Sequence, residues 1–599
     1  MKTKVIGLMG MVVFLFGSAA VVSAQGHSDI IQICTADSGQ GYAQVAYDPN
    51  HDEYLVVWED NRYGYDNTDV YGQFVDGDGT LIGINFPICT AVGDQWWPHL
   101  DFNPSLNNYL IVFEDNRNGN DQGDIRGAFI DSDGNFVDAP TSGADHTFGI
   151  CTESHDNYTC SVAFNYVEDV YLVVWGDNRA EGNTQTGERW GVDIYGQLVS
   201  SDGALVSPSD PVVNFAIDQA DWYGASVADV TYNDITNEFF VVYGMDMGYV
   251  LGQRVSHTGQ LINPDGTTGV VAKPGSVASV LPAMLISQMF MNGPDCLQAK
   301  TASRTEYSPR VAKVSAVDYT EMQVIWKGQT EVTMQTTYND VYGQRIGFFL
   351  EGQKYAAYYV NLDGDTTADV CNYPISIQNG WAGVPDLAYG VQDDEYLVGW
   401  GDPRKGGFVE DDLYVQRLWI NDDDDQIFLA DNRVDTTSYE ENIPVDTTSN
   451  DEGSILGVAH SSVRNEFLLA YQFKDITLNR GVDVYGRIFY GSEPSTDVPL
   501  SNRGSHPGDF QISQNYPNPF NPETAIEFSL PVQSKVVVEI FDLLGRRIQT
   551  LFDEVEYPGT HRVSWNGKDE SGIDVSSGVY FYQVRTEQFS AKKKMLLIR

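Results

Sequence analysis

The chain has 599 residues, with 84 Asp and Glu against 35 Lys and Arg, giving a formal net charge of −49 at pH 7. A field of that sign repels phosphate backbones and anionic membrane surfaces, which excludes nucleic acid as a partner. Aromatic residues at 12% and 57 glycines, with no heptad pattern and no long amphipathic helix, point to an all-β chain of many short strands and turns.

At the start, Lys2 and Lys4 precede an apolar run from Val5 to Val22, and Val22-Ser23-Ala24 places small residues ahead of Gln25. This reads as a secretory signal peptide over 1–24, cut before Gln25. The first cysteine is Cys34, so a lipoprotein anchor is not expected. No later segment approaches the roughly 20 apolar residues of a membrane-spanning helix.

The middle of the chain repeats itself. Tyr54–Trp58 (Tyr-Leu-Val-Val-Trp) recurs at Tyr109–Phe113, Tyr171–Trp175, Phe239–Tyr243, Met322–Trp326, Tyr396–Trp400 and Phe467–Tyr471. Each copy is followed by a second phrase such as Asp69-Val70-Tyr71-Gly72-Gln73 or Asp483-Val484-Tyr485-Gly486-Arg487. A short strand such as Val45-Ala46-Tyr47 precedes each pair, and a turn and a last strand such as Asn85–Cys89 usually follow. Four short strands in each of seven units predict a seven-bladed β-propeller over 25–490. The Tyr-Leu-Val-Val-Trp strand is apolar on both faces and has to be sandwiched. The units exceed the roughly 40–50 residues of common propeller repeats. The excess is assigned to loops at Gly275–Tyr307, Gly347–Asp369 and Asn421–Asp451. Two separate propellers and an open solenoid are the competing arrangements. Ile30–Thr35 stands ahead of the first unit and resembles the last strands Phe86–Thr90 and Phe148–Thr152. It is expected to complete the seventh blade and close the ring, which removes an unpaired edge.

Cys34, Cys89 and Cys151 fall at equivalent places on different blades, too far apart to bridge. Cys151–Cys160 is the one local candidate for a disulfide, and Cys296 and Cys371 have no evident partner. Most are read as small buried residues, and no spacing resembles a zinc site.

The most visible polar motif is Asp-x-Arg after the second strand: Asp60/Arg62, Asp115/Arg117, Asp177/Arg179 and Asp402/Arg404. Arginines arranged around one face present forks that match carboxylates or sulfates of a polysaccharide. A repeated motif more often serves its own blade. On that reading each Arg pairs with the Asp before the third strand, namely Asp69, Asp124, Asp193 or Asp412.

Asp76-Gly77-Asp78-Gly79 and Asp131-Ser132-Asp133-Gly134 sit where hairpin turns are needed. Asn361, Asp363, Asp365 and Asp369 alternate oxygen ligands as in a calcium loop, but Thr366 replaces the turn glycine and Asn372 the bidentate Glu. Asp422–Asp425 reads as a solvated loop. No cofactor is assigned, calcium being the one ion left open. There is no Gly-x-Ser-x-Gly, His-Glu-x-x-His or phosphate loop. The Ser-x-Asp-x-Gly-x-Thr-Trp box of sialidase-like propellers is missing as well. Asp101, Asp229 and Asp386 lie on first strands, where glycosidase propellers carry carboxylates, yet no pair stands out.

After a linker at 491–510, Asn515–Pro522 (Asn-Tyr-Pro-Asn-Pro-Phe-Asn-Pro) opens a last segment. Strands are expected at Thr524–Leu530, Val536–Phe541, His561–Trp565, Gly578–Arg585 and Lys593–Ile598, forming a small β-sandwich over 511–599. The opening phrase, Ser577–Tyr582 and Lys592–Leu597 resemble the type A C-terminal sorting domain of the type IX secretion system. They also resemble the immunoglobulin-like domain related to the flagellar hook-capping protein. The resemblance implies export to the surface or exterior of a Gram-negative bacterium, contact with the secretion machinery, and removal of the tail during export. The sequence therefore predicts an exported propeller that binds or scaffolds, with an extracellular polysaccharide or protein as partner. A secreted glycan-cleaving hydrolase is the alternative.

Overall fold

A computed structural model describes residues 27–491 and 511–597, less a set of internal stretches. The longest of these are 180–191, 264–283, 286–308, 361–372 and 430–442. The signal peptide, the linker after Gly491, the calcium-like segment 361–372, Asp422–Asp425, Cys296, Cys371, Arg404 and the opening of the last motif at 513–519 lie outside the described residues.

The repeated apolar phrase folds as anticipated. Glu53–Asp60, Asn108–Asp115 and Val170–Asp177 are buried at every position. A strand buried on both faces has to lie inside a sheet that is itself packed on both sides. In the first blade Gln40–Asp48, Glu53–Asp60, Asp69–Asp76 and Leu81–Cys89 pair antiparallel in chain order. Seven such sheets occur among the described residues, with no α-helix.

Their first strands set the architecture. Gln40–Asp48, Gln95–Asn103, Asn157–Asn165, Ala225–Asn233, Arg310–Ser315, Asp386–Gly390 and Asp451–Ser461 pack each against the next, and the last against the first. A circuit of inner strands with sheets radiating outward is a β-propeller. Adjacent sheets share a core. Leu55, Val57 and Phe74 of the first blade meet Leu100, Tyr109 and Ile111 of the second.

Ring closure follows the expected device. Ile31–Cys34 pairs antiparallel with Asp483–Tyr490, Ile31 facing Gly486, and completes the sheet that holds Glu466–Lys474 and Asp451–Ser461. Ser28 adds a hydrogen bond from its backbone N to the Ile488 carbonyl at 2.8 Å. Ile33, Cys34, Val484 and Ile488 share a core with Val56 and Trp58, so first and last blades are one packed unit.

Two expectations need correction. The extra length of the fifth unit is partly strand. Thr336–Glu351 pairs with Lys354–Val360 in a hairpin that runs through 347–360, because Phe348, Phe349, Tyr355 and Tyr358 favour extended backbone. The sixth unit's excess likewise contains strands, Gln426–Leu429 and Ile443–Asp446. The turns at Asp76–Gly79 and Asp131–Gly134 are hairpin turns as read. Gly79 and Gly134 carry φ of 87° and 82°, where a side chain is strained.

The C-terminal segment forms two facing sheets. One orders Gln511–Ile512, Thr524–Leu530 and Gly559–Trp565; the other orders Arg547–Glu556, Ser534–Phe541, Gly578–Arg585 and Ser590–Leu597. Ile526, Phe528, Val538, Trp565, Tyr582 and Met595 fill the space between them. Arg547–Glu556 was not among the expected strands, since Asp553, Glu554 and Glu556 dilute its apolar alternation.

Candidate functional site

The Asp-x-Arg motifs close on themselves. Asp60 is fully buried at the end of its strand. Its carboxylate accepts Arg62 Nε at 2.8 Å and NH2 at 2.6 Å, the Arg62 backbone N at 2.9 Å and Trp58 Nε1 at 2.9 Å. The guanidinium lies 3.8 Å above the Tyr71 ring. Arg117 holds Asp115 in the same way and adds Asp145 and Thr147. Arg179 holds Asp177 and stacks 3.9 Å from the Tyr195 ring. The partner is therefore the Asp two residues before each Arg. It is not Asp69, Asp124 or Asp193, as the spacing suggested. The tight turn folds the fork straight back onto the preceding strand end, where two parallel N–H···O bonds form. Asn67 donates instead to Asp69, and Asn118 to Asp124. Burial pushes both carboxyls up to about 6. Asp402 ends the strand Glu395–Asp402, and the position of its partner Arg404 is not described.

The repeated cysteines belong to the same assembly. Sγ of Cys34, Cys89 and Cys151 lies 3.7, 3.5 and 3.4 Å from NH2 of Arg62, Arg117 and Arg179. All three are buried thiols outside any disulfide, as is Cys160, so the Cys151–Cys160 bridge is not formed. Burial pushes the Cys34 and Cys89 thiols up to about 11 and about 12, which keeps them unreactive.

A different set of polar groups meets at the propeller axis. Gln44, His99, Ser161, Asp229, Arg310 and Asp386 hold equivalent register positions on six first strands, opposite Val57, Val112, Val174, Val242, Ile325 and Gly399. Asp229 accepts Ser161 Oγ at 2.7 Å on one oxygen and the Val311 backbone N at 3.0 Å on the other. Asp386 accepts the Val458 N at 2.9 Å, and its other oxygen lies 3.8 Å from Arg310 Nε. Asp101, two residues beyond His99, accepts the Phe164 N and the Phe102 N, both at 2.8 Å. Each carboxylate thus ties its own first strand to the blade that follows.

The electrostatics of this ring cross the axis. His99 interacts with Asp229 and Arg310, which belong to blades two and three further round. Burial lowers the His99 imidazole to about 4, so the ring is neutral at pH 7. Asp386 is raised to about 7, mainly by burial, with Arg310 opposing and Asp229 adding to the shift. Burial raises Asp101 to about 6.

At one end of the axis the first strands bulge. Tyr42 and Trp97 have left-handed φ of 52° and 53°, and their rings meet at 4.1 Å between centroids. Trp97 is 36% exposed. The bulge frees a backbone N–H that the preceding blade takes up: Trp97 N donates to Glu59 at 2.8 Å, and Tyr42 N to Gln472 at 3.2 Å. Thr159 on the third blade repeats the bulge with φ of 36° and bonds Glu114. Sequence reasoning missed these contacts. The available signal was a polar residue, Glu59, Glu114 or Gln472, directly after the apolar phrase.

Glu59 gives a pH prediction. Its carboxyl is pushed from 4.5 up to about 8, first by burial, against the Trp97 hydrogen bond. Between those values the folded chain keeps a proton that the unfolded chain has lost. The stabilisation is complete below about pH 4.5 and is lost as pH rises through 8, at up to about 1.4 kcal/mol per pH unit. Glu59→Gln keeps the acceptor, as Gln472 does on the seventh blade, and cannot ionise. Its melting temperature is expected to match wild type near pH 5 and exceed it near pH 8, followed by thermal scans across that range. Equal pH profiles would refute the assignment.

Comparison with known proteins adds one decisive observation. Residues 514–598 match the family model of the secretion system C-terminal sorting domain. The tail is a type IX secretion sorting domain. It places the protein outside the cell or on the outer surface of a Gram-negative bacterium, and implies interaction with the type IX machinery. Within this sorting domain Phe520 packs against Trp565 at 5.6 Å between ring centroids, and Lys592 Nζ sits 4.6 Å above the Phe541 ring. No curated protein matches the chain in sequence.

Among solved structures the chain is similar to Trypanosoma rangeli sialidase in complex with sialic acid. The identity is 9% and the TM-score 0.35, over 95% of this chain and 88% of that one. A subtype N11 neuraminidase-like protein of A/flat-faced bat/Peru/033/2010 (H18N11) gives 10% and 0.35, over 78% and 92%. Periplasmic gluconolactonase of Pseudomonas aeruginosa gives 12% and 0.34, over 74% and 97%. At such scores none of them carries an argument about activity. Among the described residues no helix is long and apolar enough to cross a membrane.

Proposed function

We propose that the protein is an exported binding or scaffolding propeller that presents one end of its axis to an extracellular polysaccharide. On this reading residues 1–24 are a signal peptide, 25–490 the propeller, 491–510 a linker and 511–599 the sorting domain. The observation that carries it is the use of the axial carboxylates. A glycosidase needs two carboxyl groups that reach the same bond. Asp229 and Asp101 have both oxygens engaged in hydrogen bonds that hold neighbouring strands. The loop arginines are likewise occupied by buried aspartates. Among the described residues at the axis end, the Tyr42/Trp97 pair forms a platform whose flat apolar faces suit sugar rings. With a net charge of −49 the surface favours a neutral glycan over an acidic one.

A glycan-cleaving reading draws support from one feature. Asp386, raised to about 7, stands near Asp229 as a general acid would. Retention on a panel of neutral and acidic polysaccharides, with reducing-end release measured in parallel, separates the two. The binding role predicts retention of a neutral glycan that Trp97→Ala weakens about tenfold or more and Asp386→Asn leaves intact, without turnover. Turnover that Asp386→Asn abolishes would establish the hydrolase instead.

A further inference from the structure

We infer that Asp48, His51 and Glu53 bind one divalent transition-metal ion at the turn joining the first two strands of the first blade. One ligand atom from each residue lies within 4.8 Å of the other two. The turn itself brings them together, since Asp48 ends Gln40–Asp48 and Glu53 begins Glu53–Asp60. Asp48 is fully buried and held in place. Its Oδ1 caps the turn by accepting the Asn50 N at 2.7 Å and the His51 N at 3.3 Å. Its Oδ2 lies 2.7 Å from His51 Nδ1 and accepts Ser132 Oγ of the second blade at 2.7 Å.

Glu53 supplies the second observation. It is 7% exposed, and its Oε1 has no hydrogen-bond partner among the described residues. Two other blades fill this seat with an ion pair. In the fourth blade the equivalent Glu238 pairs with Arg254 at 2.7 Å, and in the sixth Glu395 pairs with Arg417 at 2.6 Å. Register places Phe74 where those arginines stand, because Phe74 faces Leu55 as Arg254 faces Phe240 and Arg417 faces Leu397. The first blade therefore keeps a buried acid and lacks the cation that the fourth and sixth blades supply. A buried carboxylate oxygen without a partner is costly unless a positive group reaches it.

The donor set selects the ion. One imidazole nitrogen with two carboxylate oxygens suits zinc and its first-row neighbours, whereas calcium takes oxygen ligands alone. The His51 side chain is 47% exposed, so an ion has access from solvent and the ring is free to adjust. On binding, the ion takes the place between His51 Nδ1 and Asp48 Oδ2 that a proton otherwise fills: a neutral ring carries its one N–H on Nε2, and a protonated ring gives up its Nδ1 proton to solvent.

The test uses the full chain without an affinity tag, titrated with Zn2+ by calorimetry and with Co2+ by visible absorption. Wild type is expected to bind one Zn2+ that His51→Ala and Glu53→Gln each weaken by more than about tenfold, with the matching Co2+ band lost. His51→Ala alters a half-exposed ring and reads the site even where Glu53→Gln lowers the yield of folded protein. Identical Zn2+ binding by wild type and His51→Ala would overturn the site. Binding of Ca2+ that depends on Glu53 and not on His51 would overturn the assignment to a transition ion.

Discussion

Deleting Asp29–Ala36 is expected to destabilise the propeller by about 5 kcal/mol or more and to promote aggregation. Ile33 and Cys34 are each 2% exposed and cover Val484 and Ile488. Losing one buried aliphatic side chain removes about 1.5–3 kcal/mol of burial, and each ladder hydrogen bond about 1 kcal/mol more. The deletion also bares Asp483–Tyr490, a strand with unpaired donors and acceptors that invites pairing with another chain. Thermal unfolding and light scattering of the truncated protein provide the measurement. Unchanged melting and solubility would mean that the seventh blade closes without the N-terminal strand.

Replacing Arg62, Arg117 and Arg179 together with Gln is expected to lower stability by about 2 kcal/mol at each site, and not to abolish polymer binding. Each change leaves a fully buried aspartate, Asp60, Asp115 or Asp177, without its countercharge. The magnitude is set below that of fully buried pairs because each arginine side chain remains about one-fifth exposed. The sites share no partner, so the losses should nearly add. Arg→Lys at the same positions should rescue only in part, since an ammonium cannot form the two-pronged contact or stack on Tyr71 and Tyr195 in the same way. A triple variant that melts like wild type and loses glycan retention would reverse this and make the arginines the binding site.

The pairing of these arginines shows where sequence reading stopped. The repeat of Asp-x-Arg and the equivalence of Cys34, Cys89 and Cys151 were visible in one dimension. That the fork turns back onto Asp60 and not forward to Asp69 depends on the turn, and both choices are short in sequence. The axial ring is harder still. Gln44, His99, Ser161, Asp229, Arg310 and Asp386 are of five different residue types, and nothing in their spacing marks them as neighbours. In the sequence Asp101, Asp229 and Asp386 are simply acids on first strands, among many acids. Their roles as ties between blades appear once Phe164, Val311 and Val458 present backbone N–H groups to them.

By itself the sequence determined the route and the class. A C-terminal motif read by a secretion apparatus is a local pattern, and seven apolar phrases, each with its companion strand, are a local pattern repeated. Ring closure was legible for the same reason, because Ile30–Thr35 resembles the strand type it supplies. Tertiary structure alone decided which polar groups are free. Whether an Asp is a tie, a countercharge or an orphan depends on backbone donors and side chains from other blades. Glu53, Glu238 and Glu395 hold one seat in the repeat, and the residue across the sheet, Phe74, Arg254 or Arg417, decides whether a buried salt bridge forms there.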